Sequence, residues 1–417
     1  MTDRPADDKT TSTEPDDDDL KLKSSTRTSL LGAMFLMATS AIGPGFITQT
    51  TEFTAALGAA FAFAILVSIL VDVAIQLNVW RVIGVSGRRA HELGNSVLPG
   101  LGWFMSLLIV AGGLVFNVGN VAGTGLGTDA MFGMDPTLGG VLSAAVAIAI
   151  FLSRRAGLAM DRVVILLGVL MIGLTAYVAI TSGPPVGEAL TNTVAPETVD
   201  FLAITTLIGG TVGGYITYSG AHRLVDSGVT GPERIRDISR GSVTGVVITG
   251  VMRVILFLAI LGVVAGGVSL ATDNPPATAF EAAAGEVGLR LFGIVLWAAA
   301  ITSVIGASYT SVSFLTSATA VSHWRRNALV IVFIVVSTVA FVLLGEAPAD
   351  LLVFAGAFNG ILLPVGVGVM LYVAWRRRDL LHGYRYPAWL LAIGVLAWLL
   401  CLYLAYVSIE PAFSIFA

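Results

Sequence analysis

Two short stretches of helix-breaking residues lie inside long apolar segments and mark positions where a ligand could bind. The first is Ser40–Gln49, in which Pro44 lacks a backbone N–H and is flanked by two glycines. The second is the glycine-rich run Gly209–Gly214. Inside a bilayer, a broken helix is tolerated where the freed backbone groups are buried in protein or line a polar cavity. The two breaks therefore predict a ligand site, and a glycine-rich surface for close helix packing is the alternative.

The chemistry available at the breaks is mostly that of backbone dipoles and uncharged side chains. A helix that restarts after Gly45 presents N–H groups and a partial positive charge, which suit an anionic group. For each single side chain, packing or hydrogen bonding to a neighbouring helix is the alternative. The predicted substrate-binding residues are Gly43, Gly45, Phe46, Gln49, Asn120, Gly210, Thr211, Gly213, Gly214 and Tyr215.

One cation lies far inside an apolar segment. Counting about 12 residues at 1.5 Å each from the predicted cytoplasmic end places Arg253 roughly 18 Å deep. A guanidinium at that depth is expensive and must face protein or water. It could bind a substrate carboxylate, pair with Asp72 or satisfy freed backbone carbonyls. The predicted coupling or gating residues are Asp72, Asn117, Arg253, Glu52 at the outer mouth and Asp226 at the inner mouth.

The elements that must position these residues are transmembrane helices. Of the 417 residues, 56% are hydrophobic and 12% charged, whereas soluble proteins have about 25% charged residues. Eleven segments reach the length of about 20 residues that a membrane-spanning helix needs. They lie near 29–52, 56–82, 99–126, 137–154, 160–182, 199–221, 241–267, 284–319, 326–345, 349–374 and 387–410.

The distribution of basic residues predicts the orientation of these segments. All but two of the 23 Lys and Arg lie in the N-terminal tail or in every second connection. By the positive-inside rule these regions are cytoplasmic, which places the N-terminus inside and the C-terminus outside. The chain is therefore predicted to be a multi-pass plasma membrane protein. Residues 1–27 are predicted to be a disordered acidic tail.

Composition also excludes several classes of protein. The formal net charge of −4 argues against a nucleic-acid partner. Cys401 is the only cysteine, so neither an internal disulfide nor a Cys/His metal cluster is expected. No set of paired carboxylates or Ser, His and Asp at one depth indicates an enzyme. The predicted partners are the lipid bilayer and a small-molecule substrate, with no cofactor and with a monomeric or weakly homo-oligomeric state.

The positions of the two breaks predict the domain organisation. Residues 28–182 hold five segments and residues 199–376 hold the next five, and each set opens with a broken helix. Because five is odd, the second set must run inverted relative to the first. The predicted fold is an all-α polytopic membrane protein with 11 transmembrane helices and a five-plus-five inverted repeat. Residues 383–417 carry a peripheral eleventh helix.

Several local motifs resemble those of one transporter family. They are Gln76–Gly87 (QLNVWRVIGVSG) followed by Arg88, Phe132-Gly133, Thr211-Val212 and Leu363-Pro364. On these residues the chain resembles the NRAMP (natural resistance-associated macrophage protein) family of proton-coupled divalent-metal transporters over residues 29–380. The resemblance implies the LeuT-like fold of the amino acid–polyamine–organocation superfamily, with helices 1 and 6 interrupted.

The chain departs from the family at the positions that hold metal. Counted without gaps, the family's Asp-Pro-Gly-Asn motif falls on Gly43-Pro44-Gly45-Phe46, and Met-Pro-His-Asn falls on Gly213-Gly214-Tyr215-Ile216. The family's acidic pair for proton passage falls on Asn117 and Asn120, and an amide does not carry a proton. Divalent metals require carboxylate, imidazole, amide or thioether donors, and the Gly, Phe, Tyr and Ile side chains at the two motif positions supply almost none.

These observations together predict a secondary active transporter of an organic solute. Gly43-x-Gly45-Phe46-Ile47 resembles the Gly-Ser-Gly-Ile-Phe pattern with which amino acid permeases bind a substrate carboxylate. The predicted function is uptake of a small carboxylate, such as an amino acid or a lactam acid, coupled to H⁺ or Na⁺. The alternative is a divalent metal cation (Mn, Fe or Mg) transporter with backbone ligation. A sensor that binds without transport and a membrane-embedded enzyme are further alternatives.

Overall fold

A computed structural model describes residues 40–315 and 323–416, together with residues 30, 32, 33 and 37. For residues 154–165 and 323 it describes the backbone alone. The predicted tail of residues 1–27 lies outside the described residues. The helices are α1 (Pro44–Leu57), α2 (Phe61–Ser86), α3 (Ala90–Val97), α4 (Leu101–Phe132), α5 (Pro136–Leu152), α6 (Arg154–Thr181), α7 (Val186–Val194), α8 (Phe201–Val212), α9 (Ile216–Asp226), α10 (Ile235–Ala265), α11 (Pro275–Leu315), α12 (His323–Leu344), α13 (Pro348–Arg376) and α14 (Ala388–Phe413).

The helical architecture confirms an all-α membrane fold. Helices satisfy their backbone N–H and C=O groups internally, as a chain crossing hydrocarbon must do. Within the described residues, eight helical stretches are long and apolar enough to span a membrane, or nine if the bent pair Leu166–Thr181 and Val186–Val194 is one span. One of the eight, Pro44–Ser86, holds two predicted segments, and Pro136–Leu152 is too short for this count. The number eleven and the division into two repeats therefore stay predictions.

The first predicted break is present, but the helix restarts earlier than expected. Ser40 and Ala41 are helical, Ile42 and Gly43 form a bend, and α1 begins at Pro44. The predicted restart after Gly45 was therefore wrong. Proline is favoured at the first position of a helix, because the N–H that it lacks has no intrahelical partner there. The break is the bend before Pro44, and Gly45 and Phe46 belong to the first turn of α1.

The second break is shorter than the predicted Gly209–Gly214. Helix α8 continues to Val212, and α9 begins at Ile216. Gly213, Gly214 and Tyr215 form the break, and Gly214 has a positive φ of 52° that favours glycine. Gly209 and Gly210 are helical and lie against neighbouring helices. The predicted break is thus formed by Gly213 and Gly214. The alternative, a glycine-rich surface for close helix packing, applies to Gly209 and Gly210.

A third irregularity lies in the long helix α11. The sequence predicts a short surface helix around Glu281–Glu286 before the eighth membrane segment. The structure instead has a helical stretch that begins at Pro275 and a kink at Gly285, which has a non-helical φ of 64°. Beyond the kink, α11 packs along α4, and these two helices form the most extensive helix pair among the described residues. This pair borders the first break on one side.

Candidate functional site

Both breaks are closed to solvent in this structure. Gly43 and every residue of the first two turns of α1 are buried, with Phe46 only 2% exposed. Gly213, Gly214 and Tyr215 are buried as well, and Tyr215 is 1% exposed. The residues that form the two breaks are therefore packed inside the protein in this structure.

The first break contacts uncharged polar groups on α4 and α11. A Cβ placed on Gly43 would lie 3.0 Å from the Ser303 hydroxyl oxygen and 3.9 Å from the Asn120 amide oxygen. The Ser303 hydroxyl and the Asn120 Nδ2 are buried and have no hydrogen-bond partner. The structure thus brings predicted residues Gly43 and Asn120 together. It adds Ser303, whose only signal in the sequence is a hydroxyl within an apolar segment.

Gln49 connects the two broken helices instead of opening onto solvent. It is fully buried, and its Nε2 donates a hydrogen bond to the Leu352 carbonyl of α13 at 2.8 Å. Its Oε1 has no partner and lies against Gly210 of α8. A side chain on Gly210 or Gly356 would collide with the Gln49 amide. The predicted residues Gln49 and Gly210 therefore meet at the interface between α1, α8 and α13.

The second break packs against an amide and an aromatic ring. Asn359 of α13 donates from Nδ2 to the carbonyls of Gly112 and Ala355, at 3.0 and 2.9 Å. Its Oδ1 lies against Gly214 and has no hydrogen-bond partner. The Tyr215 ring meets Phe116 edge to face, with centroids 5.8 Å apart. The break is thereby held by α4 and α13, and an unpaired amide oxygen lies beside it.

Arg253 lies at the level of the breaks, as its depth in the sequence predicts. It is 2% exposed, and its guanidinium carbon lies 4.3 Å from the centroid of the Phe46 ring. Nη1 donates to the Leu207 carbonyl of α8 at 3.5 Å. Nε and Nη2 are buried without a partner. Stacking on the ring compensates part of the cost of burying this charge.

Asp72 of α2 is the acid that acts on Arg253. It is 2% exposed, interacts with the Thr211 hydroxyl and lies in the electrostatic field of Arg253. The ion pairs among the described residues do not include one between Asp72 and Arg253, and Asp72 Oδ1 has no hydrogen-bond partner. Arg253 donates to a carbonyl within α8 and not to one freed by the break, and direct pairing with Asp72 is not observed among the described residues.

The remaining gating candidates lie at some distance from this centre. Asn117 donates from Nδ2 to Ser308 and Ser337, at 3.0 Å each, and so ties α4 to α11 and α12. Glu52 is partly exposed and lies in the field of Asp350. The structure does not bring these two residues into contact with Arg253 or Asp72.

Asp226 belongs to a separate contact between α3 and the end of α9. Its Oδ1 lies 2.7 Å from Nη2 of Arg89. Nearby, the backbone N–H of Ala90 donates to His222 Nε2 at 3.1 Å, and the His222 ring lies 4.8 Å from that of Phe314. The His222 imidazole thus accepts from the first N–H of α3 and caps that helix end. These contacts join α3 to α9 on the side of the molecule that is predicted to be cytoplasmic.

Comparison with known proteins gives the family. The family described as natural resistance-associated macrophage protein-like (Nramp) matches residues 34–410. The chain belongs to the Nramp family. Members of this family are transporters, which supports the prediction that the chain is not an enzyme.

Relatives agree with this assignment. The chain is 52% identical to the uncharacterized membrane protein YcsG of Bacillus subtilis (strain 168) over 88% of its own length and 90% of that protein's. A variant of the Eremococcus coleocola manganese transporter superposes with a TM-score of 0.69 and 16% identity, covering 96% of this chain and 89% of that chain. MhsT in complex with L-phenylalanine superposes with a TM-score of 0.64 and 19% identity, covering 93% of this chain and 98% of that chain. These two structures establish a shared LeuT-like fold.

As a member of the Nramp family, the chain has unusual side chains at its breaks. Gly43, Phe46, Gly213 and Tyr215 occupy the positions to which the resemblance assigns the family's metal-binding motifs. Within the described residues, no three His, Cys, Asp or Glu side chains lie close enough together to hold a metal ion. What the structure places there instead is a buried guanidinium, several unpaired amide or hydroxyl groups and the start of α1.

Proposed function

We propose that this Nramp family member is a secondary active transporter of a small organic carboxylate, such as an amino acid or a lactam acid. The solute binds between Gly43–Phe46, at the first break, and Gly209–Tyr215, at the second. The observation that carries this proposal is the buried guanidinium of Arg253, which lies on Phe46 in the first turn of α1 and donates to the helix that leads into the second break. A resident cation in this place attracts an anion and repels a divalent metal ion.

The N-terminal end of α1 adds to this preference. Gly43 caps the helix without a side-chain hydrogen bond, and Pro44 has no N–H. The first-turn N–H groups of Gly45 and Phe46 therefore have no side-chain cap, and the helix dipole adds partial positive charge. Such a helix end is suited to a carboxylate. The helix dipole and the charge of Arg253 both favour an anion.

Transport is coupled to H⁺ or Na⁺. Asp72 is the buried acid of the site. Asn120 and Ser303 supply uncharged oxygen donors beside Gly43, a set that suits a weakly hydrated monovalent cation better than a transition metal. The protein lies in the plasma membrane with its N-terminus in the cytoplasm and its C-terminus outside, as a monomer or weak homo-oligomer. Glu52 lies at the outer mouth and Asp226 at the inner mouth.

A thermal-shift screen of purified protein tests this function. The panel contains L-amino acids, L-lactate and 2-pyrrolidone-5-carboxylate, each with its carboxamide, together with Mn²⁺, Fe²⁺ and Mg²⁺. We expect at least one carboxylate to raise the unfolding temperature while its amide does not, since the amide lacks the charge that Arg253 recognises. Stabilisation by metals alone, with no response to any carboxylate, would refute the proposal.

Transport of a divalent metal with backbone ligation is the second candidate. It is favoured by the fold shared with the Eremococcus coleocola manganese transporter. Calorimetry with Mn²⁺ separates the two functions. Micromolar Mn²⁺ affinity that is abolished by Gly43→Ala or Tyr215→Phe would favour the metal, whereas weak binding that these substitutions leave unchanged would favour the carboxylate.

A further inference from the structure

The free edge of the Arg253 guanidinium has the geometry of a carboxylate receptor. Nη1 is used by the Leu207 carbonyl, and Phe46 covers one face of the group. The Nε and Nη2 groups, which share the other edge, are buried and have no partner. Two parallel N–H donors on one edge of a planar cation match the two oxygens of a carboxylate. A buried edge of this kind is costly to leave unpaired, so an anionic ligand that pairs with it gains that energy on binding.

Asp72 supplies the compensating charge without occupying that edge. It acts electrostatically on Arg253, yet the two side chains form no ion pair in the structure. The groups that face Asp72 from neighbouring helices are Arg253 on α10, the Thr211 hydroxyl on α8 and the Cys401 thiol on α14. Arg253 is therefore the cation that favours the ionised form of Asp72, whereas burial acts against that form.

We propose that the carboxylate of the transported solute binds to the Nε–Nη2 edge of Arg253 and that Asp72 takes up one proton as it binds. This inference rests on the proposed function. A bound carboxylate neutralises Arg253, which leaves Asp72 as a buried anion without a compensating charge. A proton from the outer solution then binds to an oxygen of Asp72, and it leaves to the cytoplasm when the solute departs. One carboxylate and one proton cross together, and the site regains its Arg253 and Asp72 charges after release.

The first test asks whether the Nε–Nη2 edge of Arg253 binds the carboxylate. The probes are L-proline, L-lactate and 2-pyrrolidone-5-carboxylate, each with its carboxamide, titrated calorimetrically into the full-length protein in detergent. Arg253→Gln removes both the positive charge and the two parallel N–H donors. Arg253→Lys keeps the positive charge but lacks the paired donors. We expect the acid that binds best to wild type to bind about thirtyfold or more weakly to Arg253→Gln, with Arg253→Lys in between.

Two outcomes of this test separate the inference from the function on which it rests. If an acid binds wild type and Arg253→Gln equally well, the receptor assignment is wrong and the proposed function stands. If no acid binds wild type, the proposed function and the inference both fail. Because Arg253→Gln leaves Asp72 buried without a counter-charge, the uncharged double variant Arg253→Gln/Asp72→Asn provides the same comparison if the single variant does not fold.

The second test counts protons. Calorimetry of the same acid in buffers with different ionisation enthalpies gives the number of protons taken up on binding. We expect wild type to take up about one proton for each ligand that binds. The reason is that the pKa of a buried carboxyl group differs between states with and without a compensating charge nearby. Asp72→Asn is expected to bind the acid with no proton uptake, and Asp350→Asn, an acid at the start of α13, to behave as wild type. Unchanged uptake in Asp72→Asn, or none in wild type, would overturn the coupling role.

Discussion

At the residue scale, the glycines of the second break serve two different purposes. Gly213 and Gly214 form the break itself, and Gly214 needs its positive φ. Gly209, by contrast, lies in α8, where a Cβ would run into the carbonyl of Gly356 and the backbone of Gly360. The sequence shows one glycine run and cannot separate these purposes, because the distinction depends on α13, which is far away along the chain.

Gly209→Ala is therefore expected to destabilise the protein. The added methyl group meets backbone that cannot rotate away, and overpacking of this kind costs about 1–3 kcal/mol. Gly306→Ala is the matched control, since Gly306 lies in α11 with nothing within 4 Å of an added Cβ. We expect a lower unfolding temperature for Gly209→Ala in detergent and an unchanged or higher one for Gly306→Ala. Equal effects of the two substitutions would contradict this account of helix packing.

His91 makes stability depend on pH at the residue scale. Burial lowers the pKa of the His91 imidazole, and Arg89 acts in the same direction, whereas Glu92 opposes it. The folded protein thus favours neutral His91, and the unfolded chain binds a proton more readily. Stability is fully present above the ordinary histidine pKa of about 6.5 and falls as the pH drops below it.

The substitution His91→Gln is expected to reduce this pH dependence. Unfolding temperatures measured between about pH 7 and pH 5 should fall less steeply for His91→Gln than for wild type. His382→Asn, in the loop after α13, is the control and should retain the wild-type slope. If His91→Gln and wild type have the same slope, other groups dominate the acid response.

At the scale of elements, short contacts join two helix ends on the predicted cytoplasmic side. Helix α3 meets α9 through the Arg89–Asp226 ion pair and the hydrogen bond from Ala90 to His222. Asp226 is about half exposed and Arg89 is mostly buried. A pair in this setting is worth about 1 kcal/mol or less. It can shift an equilibrium between closed and open states without determining the fold.

Removing this ion pair is expected to favour the open inner side. Ser219 of α9 is 3% exposed, so a cysteine there reacts with a thiol reagent when the inner side opens. In a Cys401→Ala, Ser219→Cys background, Asp226→Asn should raise the alkylation rate by about two- to fivefold. Asp237→Asn, which removes the exposed Arg234–Asp237 pair, is the control and should leave the rate unchanged. An unchanged rate in Asp226→Asn would exclude a gating role for the pair.

At the scale of the whole molecule, the sequence predicts the architecture better than the site. Apolar segments, Pro44 and the glycine run are local signals, and the structure confirms helices with two interruptions. The partners of Arg253 and Gln49 come from other helices, so spacing along the chain does not reveal them. Ser303 was missed for the same reason: its hydroxyl becomes notable only when Gly43 lies beside it.

Accumulation of a carboxylate in proteoliposomes tests the central claim most directly. Vesicles containing the protein are given an inward proton or sodium gradient and a labelled acid identified by the thermal-shift screen, with its labelled carboxamide in parallel. We predict that the acid accumulates above its external concentration, that the amide does not, and that Arg253→Gln abolishes accumulation. Binding of the acid without accumulation would indicate a sensor, and gradient-driven accumulation of Mn²⁺ in place of the acid would contradict the account.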